Sequence, residues 1–536
     1  MSHRTHVTDF IVVGAGPAGS VLTRRLLDRG YSVHVLEAGP ADTHPDIHSS
    51  ARWPALLHGG QDWAFMTTPQ RHANNRRLFW PRGKVLGGSG SLNGQIYIRG
   101  HCADYDGWAQ LGCTGWDFDS VFDLFLRSED HVDGASPWHG AGGLMPVERI
   151  TRPNPTSVAF VEAAHALGHP VVDDFNGPTQ AGVGYNQLTT RRGRRASAWQ
   201  SFVAPVLGHP RLTVTTNALV HHVLIRGGRA VGVQYSVHGE ILRASAESEV
   251  VLSAGTVGSP QLLLLSGIGP AEHLSEMGVQ VSVDLPGVGE NLHDHALVSN
   301  VYEAARPMVA PQHNLLECQL FTSSAYWRGP GPDLQPLFMN LVYPAEGYPV
   351  PRNGYTIAPG IIRPRSRGTL RLASNDPAVA PLCDPNVLAE PYDLEALVDA
   401  VEICREIGAH PAFDGWRYAE VAPGPQARTR DQLRHYVRRA VNSYHHQVGT
   451  CRVGIDDDAV VAPDLRVRGI DGLRVADASI MPSVTAGNTN APTIMIGEKA
   501  ADLIVGSSQR QRVTAAAARR DRPGRAAVAG KLPEPR

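Results

Sequence analysis

No two of the six cysteines (Cys102, Cys113, Cys318, Cys383, Cys404 and Cys451) stand at C-x-x-C spacing. That excludes the common zinc and redox motifs, offers no disulfide framework, and fits reduced thiols in a cytoplasmic protein. Long apolar runs are also missing. Phe10 to Val13 is short and leads straight into a glycine turn, unlike a signal peptide. Gln261 to Leu265 is bounded by Pro260 and Ser266-Gly267 and cannot span a bilayer. The expectation is a soluble chain with no integral membrane segment. Neither charge is in surplus: 49 Lys and Arg against 51 Asp and Glu leave −2, so nothing draws the whole chain to nucleic acid. From Ser507 onward, however, eight basic residues face two acidic ones. Residues 507–536 are rich in Ala, Arg and Pro, lack aromatics, and are expected to form a disordered basic tail.

What is present is an ordinary globular balance, 42% apolar and 19% charged, over 536 residues. That length exceeds one compact core and predicts two domains. Asp9 to Val13 reads as a buried strand, followed by Gly14-Ala15-Gly16-Pro17-Ala18-Gly19 and an amphipathic helix through Val21, Leu22, Leu26 and Leu27 that Gly30 stops. A second strand, Ser32 to Leu36, ends in Glu37-Ala38-Gly39. These are the parts of a dinucleotide site. Gly14 permits the tight turn, Gly16 lets a pyrophosphate approach, and Gly19 lets helix and strand pack closely. The helix amino terminus favours the phosphates. Glu37, 18 residues past Gly19, is placed to accept from a ribose. This segment alone does not separate FAD from NAD.

Four further segments carry a resemblance. They are Gly83 to Gly100 with its Gly87-Gly88-Ser89-Gly90 core, Gly255 to Gly269, Leu285 to His295, and Asp464 to Ile504. In this order the chain resembles the glucose–methanol–choline oxidoreductases from about Asp9 to Val505. The resemblance implies a bound FAD in an α/β (α+β overall) architecture: a Rossmann-like FAD domain plus an antiparallel-sheet substrate domain. It places Val85, Gly88, Asn93, Gly94, Gln95 and Ile96 along the flavin and pyrophosphate. Trp63 and Ala38 fall beside the cofactor, Val220, in the strand-like stretch Thr213 to Leu224, at the adenine, and Asp477, Ala478 and Ala491 at the second pyrophosphate and ribitol contact. Core packing is the rival reading for Trp63 and Val220. Some members tether FAD through a histidine in the glycine loop; Leu92 stands there and forms no such bond, so the FAD is expected to be non-covalent. Gln95 and Val453 also depart from the family's usual residues.

Alcohol oxidation needs a base at the hydroxyl while a hydride leaves the same carbon. Imidazole, with a pKa of about 6.5, suits the first task. Among 24 histidines, His446 stands out in His446-Gln447-Val448-Gly449-Thr450, which resembles the family's H-x-x-G-T segment. His445 is placed on the substrate side, with a one-residue register error as the alternative. Asn490, 44 residues after His446, falls where the family carries histidine or asparagine; its amide orients the substrate oxygen but is no base at neutral pH. Helix capping is its rival role. His293-Asp294-His295 has metal-like spacing, yet no further ligand cluster completes a site, so no metal is expected.

The cofactor motifs recur along the chain, so the FAD domain is expected to be discontinuous: 1–151, 202–300 and 444–506, with 152–201 and 301–443 as the substrate domain. Tyr355 to Ile362 and Gly368 to Ala373 read as strands of the latter, and Leu394 to Ile407 as a helix. Glu317 lies where some relatives turn a carboxylate toward the substrate, against a structural role. The partners expected are a small alcohol and an electron acceptor, O2 or a quinone. Oxidase and dehydrogenase are not separated by any motif. A lyase using the same base without redox change, and a non-catalytic flavoprotein, are the competing readings.

Overall fold

The computed structural model describes residues 6–520. It opens with β1 (His6–Val13), α1 (Pro17–Asp28) and β2 (Val33–Leu36). Phe10 to Val13 are buried on both faces, as their unbroken apolar run requires. α1 starts on Pro17, whose missing N–H is one of the helix's free donors anyway. It ends at Arg29, with Gly30 following in the left-handed region at φ 83°. Further on come β3 (Leu212–Thr215), β4 (Ala218–Arg226), β5 (Arg229–Val237), β6 (Glu240–Leu252), α2 (Gly255–Leu265), β7 (Leu473–Val475) and α3 (Asn490–Arg520).

The seven strands form one sheet in the order β3-β2-β1-β6-β5-β4, with β7 also beside β6. The β3–β2, β2–β1, β1–β6 and β6–β7 pairs are parallel, whereas β5 runs antiparallel to both β6 and β4. The parallel strands finish level, since Thr215 pairs with Leu36, Leu36 with Val13, Val13 with Leu252, and Leu252 with Val475. Ligands of such sheets bind just beyond these carboxyl ends.

A second, six-stranded antiparallel sheet is built from Gly182–Tyr185, Asn300–Ala304, Cys318–Phe321, Leu337–Met339, Gly354–Ala358 and Arg417–Ala422. Strand alternation divides its side chains between two layers. Phe338, Leu320 and Tyr355 pack against helices Pro155–Ala166 and Pro391–Ala409, while Leu337 and Met339 face Ile96 and Tyr444 on the other side.

Three expectations change. The stretch from Thr213 to Leu224 is two strands, broken where Asn217 takes a left-handed φ of 53°. Thr369–Arg371 pairs with Leu382–Asp384 outside the six-stranded sheet. Residues 507–520, expected to be disordered, continue α3 to Arg520, because Gln, Arg and Ala are strong helix formers. The remainder of that tail, 521–536, lies outside the described residues.

Candidate active site

One cavity of about 320 Å³ follows the carboxyl ends of the parallel strands and continues beneath the six-stranded sheet. Gly14, Gly16 and Ala18 line it after β1, Glu37 and Ala38 after β2, Ala254 and Gly255 after β6, and Asp477 and Ala478 after β7. Val220, Trp63, Gly88 and the run Asn93 to Ile96 line it as well. Leu297, Leu316, Leu337, Met339 and Tyr343 come from the second layer. His445, His446, Asn488 and Asn490 close it.

The first half fits a dinucleotide. Gly14 holds φ 100°, and a Cβ there would come within 2.4 Å of Ser253 O. A Cβ on Gly88 would meet Gly16 Cα at 2.8 Å, so the glycine loop lies directly on the turn. A Cβ on Gly16 would meet nothing within 4 Å. That is open space at the amino terminus of α1, whose cap carries no side-chain hydrogen bond, and it suits a phosphate. Glu37 Oε2 accepts from Ala15 N at 2.9 Å and Oε1 from Gly39 N at 2.9 Å. Burial pushes its carboxyl up to about 7, a cost that hydroxyl donors of a ribose would relieve. Asp477 Oδ2 accepts from Gly255 N and Ser259 Oγ, and Oδ1 from Ser479 N.

At the other end His446 is 8% exposed and fixed on three sides. Its backbone N donates to Asp294 Oδ1 at 2.8 Å. Asn488 Nδ2 lies 3.1 Å from Nε2, and His295 Nδ1 lies 3.0 Å from Nδ1. Gln335 Nε2 donates to Asn488 Oδ1 at 3.2 Å, which orients the Asn488 amide with its NH2 toward His446. Nε2 of His446 therefore accepts, and its proton sits on Nδ1, donated to His295. Burial first, then His295, His445 and Arg82, push the His446 pKa well below the usual imidazole value. The ring is neutral, with its acceptor nitrogen beside the cavity.

Asn490 lines the same cavity at the start of α3, its Oδ1 directed at Gly90. The amide on His446 is that of Asn488, which sequence reasoning did not single out. His445 takes φ 67°, its O accepts from Arg82 Nη2 at 2.5 Å, and Nε2 lies 3.5 Å from Tyr343 Oη. Four expected site residues do not line the cavity. Gly19 packs behind the turn against Gly14 O, Val85 packs with Ile47, Leu56 and Leu92, and Ala491 is buried. Glu317, just before the strand Cys318–Phe321, is fully buried; its Oε2 accepts from Asn154 N at 2.6 Å, at the start of helix Pro155–Ala166.

In His293-Asp294-His295, Asp294 and His295 contact His446. Both His293 nitrogens are engaged, Nδ1 with Asn291 O at 2.6 Å and Nε2 with Val484 N at 3.0 Å, leaving none for a metal. Among the described residues the ligand-like group is Glu129, His131 and His139, far from this segment in sequence. There, Arg99 donates to Glu129 at 2.7 Å, and His139 is held between Glu129 and Asp174. These contacts make it a buried ionic network.

A dinucleotide cradle facing a neutral histidine with an oriented amide defines a cofactor-dependent oxidoreductase. The GMC oxidoreductase family model matches residues 8–297 with its amino-terminal part and 364–497 with its carboxy-terminal part. The chain belongs to the GMC oxidoreductase family, is FAD-dependent, and acts on CH–OH donors. It is 39% identical to an oxygen-dependent choline dehydrogenase of Rhizobium rhizogenes, covering 93% of this chain and 95% of that protein. Pyridoxine 4-oxidase from Mesorbium loti superimposes with TM-score 0.88 at 34% identity, over 92% of this chain and 98% of that one. Formate oxidase from Aspergillus oryzae RIB40 does so with TM-score 0.87 at 26% identity, over 95% and 100%. No helix among the described residues is long and apolar enough to cross a membrane.

Proposed function

We propose that the protein oxidises a primary alcohol to the aldehyde, with His446 as the base. The supporting observation is the neutral His446 ring, its Nε2 held at 3.1 Å by Asn488 on the cavity wall. The alcohol hydroxyl takes the place of the Asn488 amide at Nε2; its O–H bond then breaks toward Nε2, the C–H bond breaks with its electron pair, and the C=O bond forms. FAD, when bound, supplies the hydride acceptor. The positive charge arriving on His446 is shared through Nδ1–H with His295, and Asp294 holds the backbone of the base in place. The amides of Asn488 and Asn490 hold the oxygen as it gains negative charge.

In the same reading, the turn Gly14 to Gly16 and the start of α1 hold the pyrophosphate, and Glu37 and Ala38 the ribose. Val220 lies at the adenine, Gly88 and Asn93 to Ile96 along the flavin, with Trp63 beside it, and Asp477 and Ala478 at the second phosphate and ribitol. Residues 1–151, 202–300 and 444–506 form the FAD unit, and 152–201 with 301–443 the substrate unit, in a cytoplasmic protein. The relatives named an oxygen-dependent dehydrogenase and an oxidase favour O2 as the electron acceptor. The test is anaerobic mixing with primary alcohols. The visible flavin absorption should be lost in the native enzyme and be lost about 100-fold or more slowly in His446→Ala. An equal rate in the variant removes His446 from the role. Peroxide formed in air identifies O2.

A further inference from the structure

Choline, named in several relatives, is a quaternary ammonium alcohol, and the wall of this cavity is poorly matched to a cation. Among the described residues that line it, the charged side chains are Glu37, Asp477 and Arg82. Both carboxylates stand at the carboxyl ends of the parallel strands, and every one of their oxygens already accepts from a protein donor. The charge near the base is the half-buried guanidinium of Arg82, which donates to the carbonyl of His445. Arg82 also faces Asp62 and Asp294, but neither lines the cavity. Asp62 accepts from the backbone N of His58, Ala64 and Arg82, and Asp294 from Ser443, His446 N and Gln447. Glu317 turns away to Asn154. Beside the uncharged polar groups of Tyr343, Asn488 and Asn490, that wall carries the apolar Trp53, Leu57, Leu316, Leu337 and Met339.

A trimethylammonium group seated there loses its water, meets a like charge and gains no carboxylate. Aromatic faces offset such a loss, but the Tyr444 ring is already stacked with His446 at 5.5 Å and Tyr343 Oη lies 3.5 Å from His445, which leaves Trp53 as the aromatic face of that wall to set against Arg82. We propose that the substrate is an uncharged alcohol with an apolar aryl or branched-alkyl group, and that Arg82 discriminates against cationic alcohols. The proposal rests on alcohol oxidation at this site and names its substrate class.

The test compares choline with its uncharged isostere, in which tert-butyl replaces trimethylammonium, and with benzyl alcohol. The readouts are anaerobic flavin reduction and, independently of turnover, the melting temperature of the FAD-loaded protein with each compound. The isostere should reduce the flavin at least about tenfold more efficiently than choline and raise the melting temperature more. Met339→Glu, which adds a carboxylate to the wall, should narrow that ratio. Equal or better use of choline by the native enzyme overturns the proposal while leaving alcohol oxidation standing. Failure of every alcohol to reduce the flavin overturns both.

Discussion

A histidine becomes a useful base when its acceptor nitrogen is aimed at the substrate space and its proton is kept on the other side. His446 meets both conditions through Asn488 and His295. Because burial and the neighbouring His295, His445 and Arg82 lower its pKa, the ring stays unprotonated as pH falls past the ordinary value of about 6.5. Anaerobic flavin reduction should therefore be flat across that value and decline only at lower pH; an inflexion near 6.5 would place the base elsewhere. Asn488→Ala removes the aiming contact and should slow reduction about tenfold, as a lost hydrogen bond does, without loss of bound FAD. The place of His446 on the cavity wall was legible because Gly449-Thr450 fixes its register. His295 and Asn488 were not, because their partnership with His446 is made by folding across 151 and 42 residues.

At the scale of elements, the first strand, turn, helix and strand were readable from period and punctuation alone, since each is locally consistent. The break at Asn217 was not readable, as it depends on a single left-handed residue inside an alternating run. The helical extension of α3 went unread because charge and composition spoke for disorder while propensity spoke for helix. The turn itself gives a sharp contrast between two glycines. Gly16→Val should leave the FAD-free fold intact, since its Cβ meets nothing, yet weaken FAD uptake, because it fills the phosphate space. Gly14→Ala should lower the melting temperature of the FAD-free protein as well, through the clash with Ser253 O. α3 is tied to α1 by the buried Glu498, which is 2.7 Å from Arg25 and 2.7 Å from Arg127. Glu498→Ala removes the buried partner of Arg25 and Arg127, which keep Asp28 and Asp502, and should cost about 1.5–3 kcal/mol in denaturant unfolding.

For the whole molecule, one elongated cavity joins the level ends of a parallel sheet to the underside of an antiparallel one. The chain leaves the seven-stranded sheet after β6 and returns to it with β7, beside β6. The arrangement of the second sheet was less readable, because short strands such as Thr369–Arg371 choose partners by tertiary context. FAD that binds only the folded chain should, at about 100 times its dissociation constant, add about 2.7 kcal/mol of stability. With Leu92 in the glycine loop, acid precipitation should leave the yellow colour in the supernatant. Colour retained in the pellet would mean a covalent bond made by another residue.

The most direct measurement follows anaerobic flavin reduction by a primary alcohol and by the same alcohol deuterated at the carbinol carbon, in the native enzyme and in His446→Ala. Proton transfer to His446 with hydride loss from that carbon predicts reduction that is slowed by deuterium in the native enzyme and nearly abolished in the variant. Reduction indifferent to deuterium and undiminished in His446→Ala would contradict it.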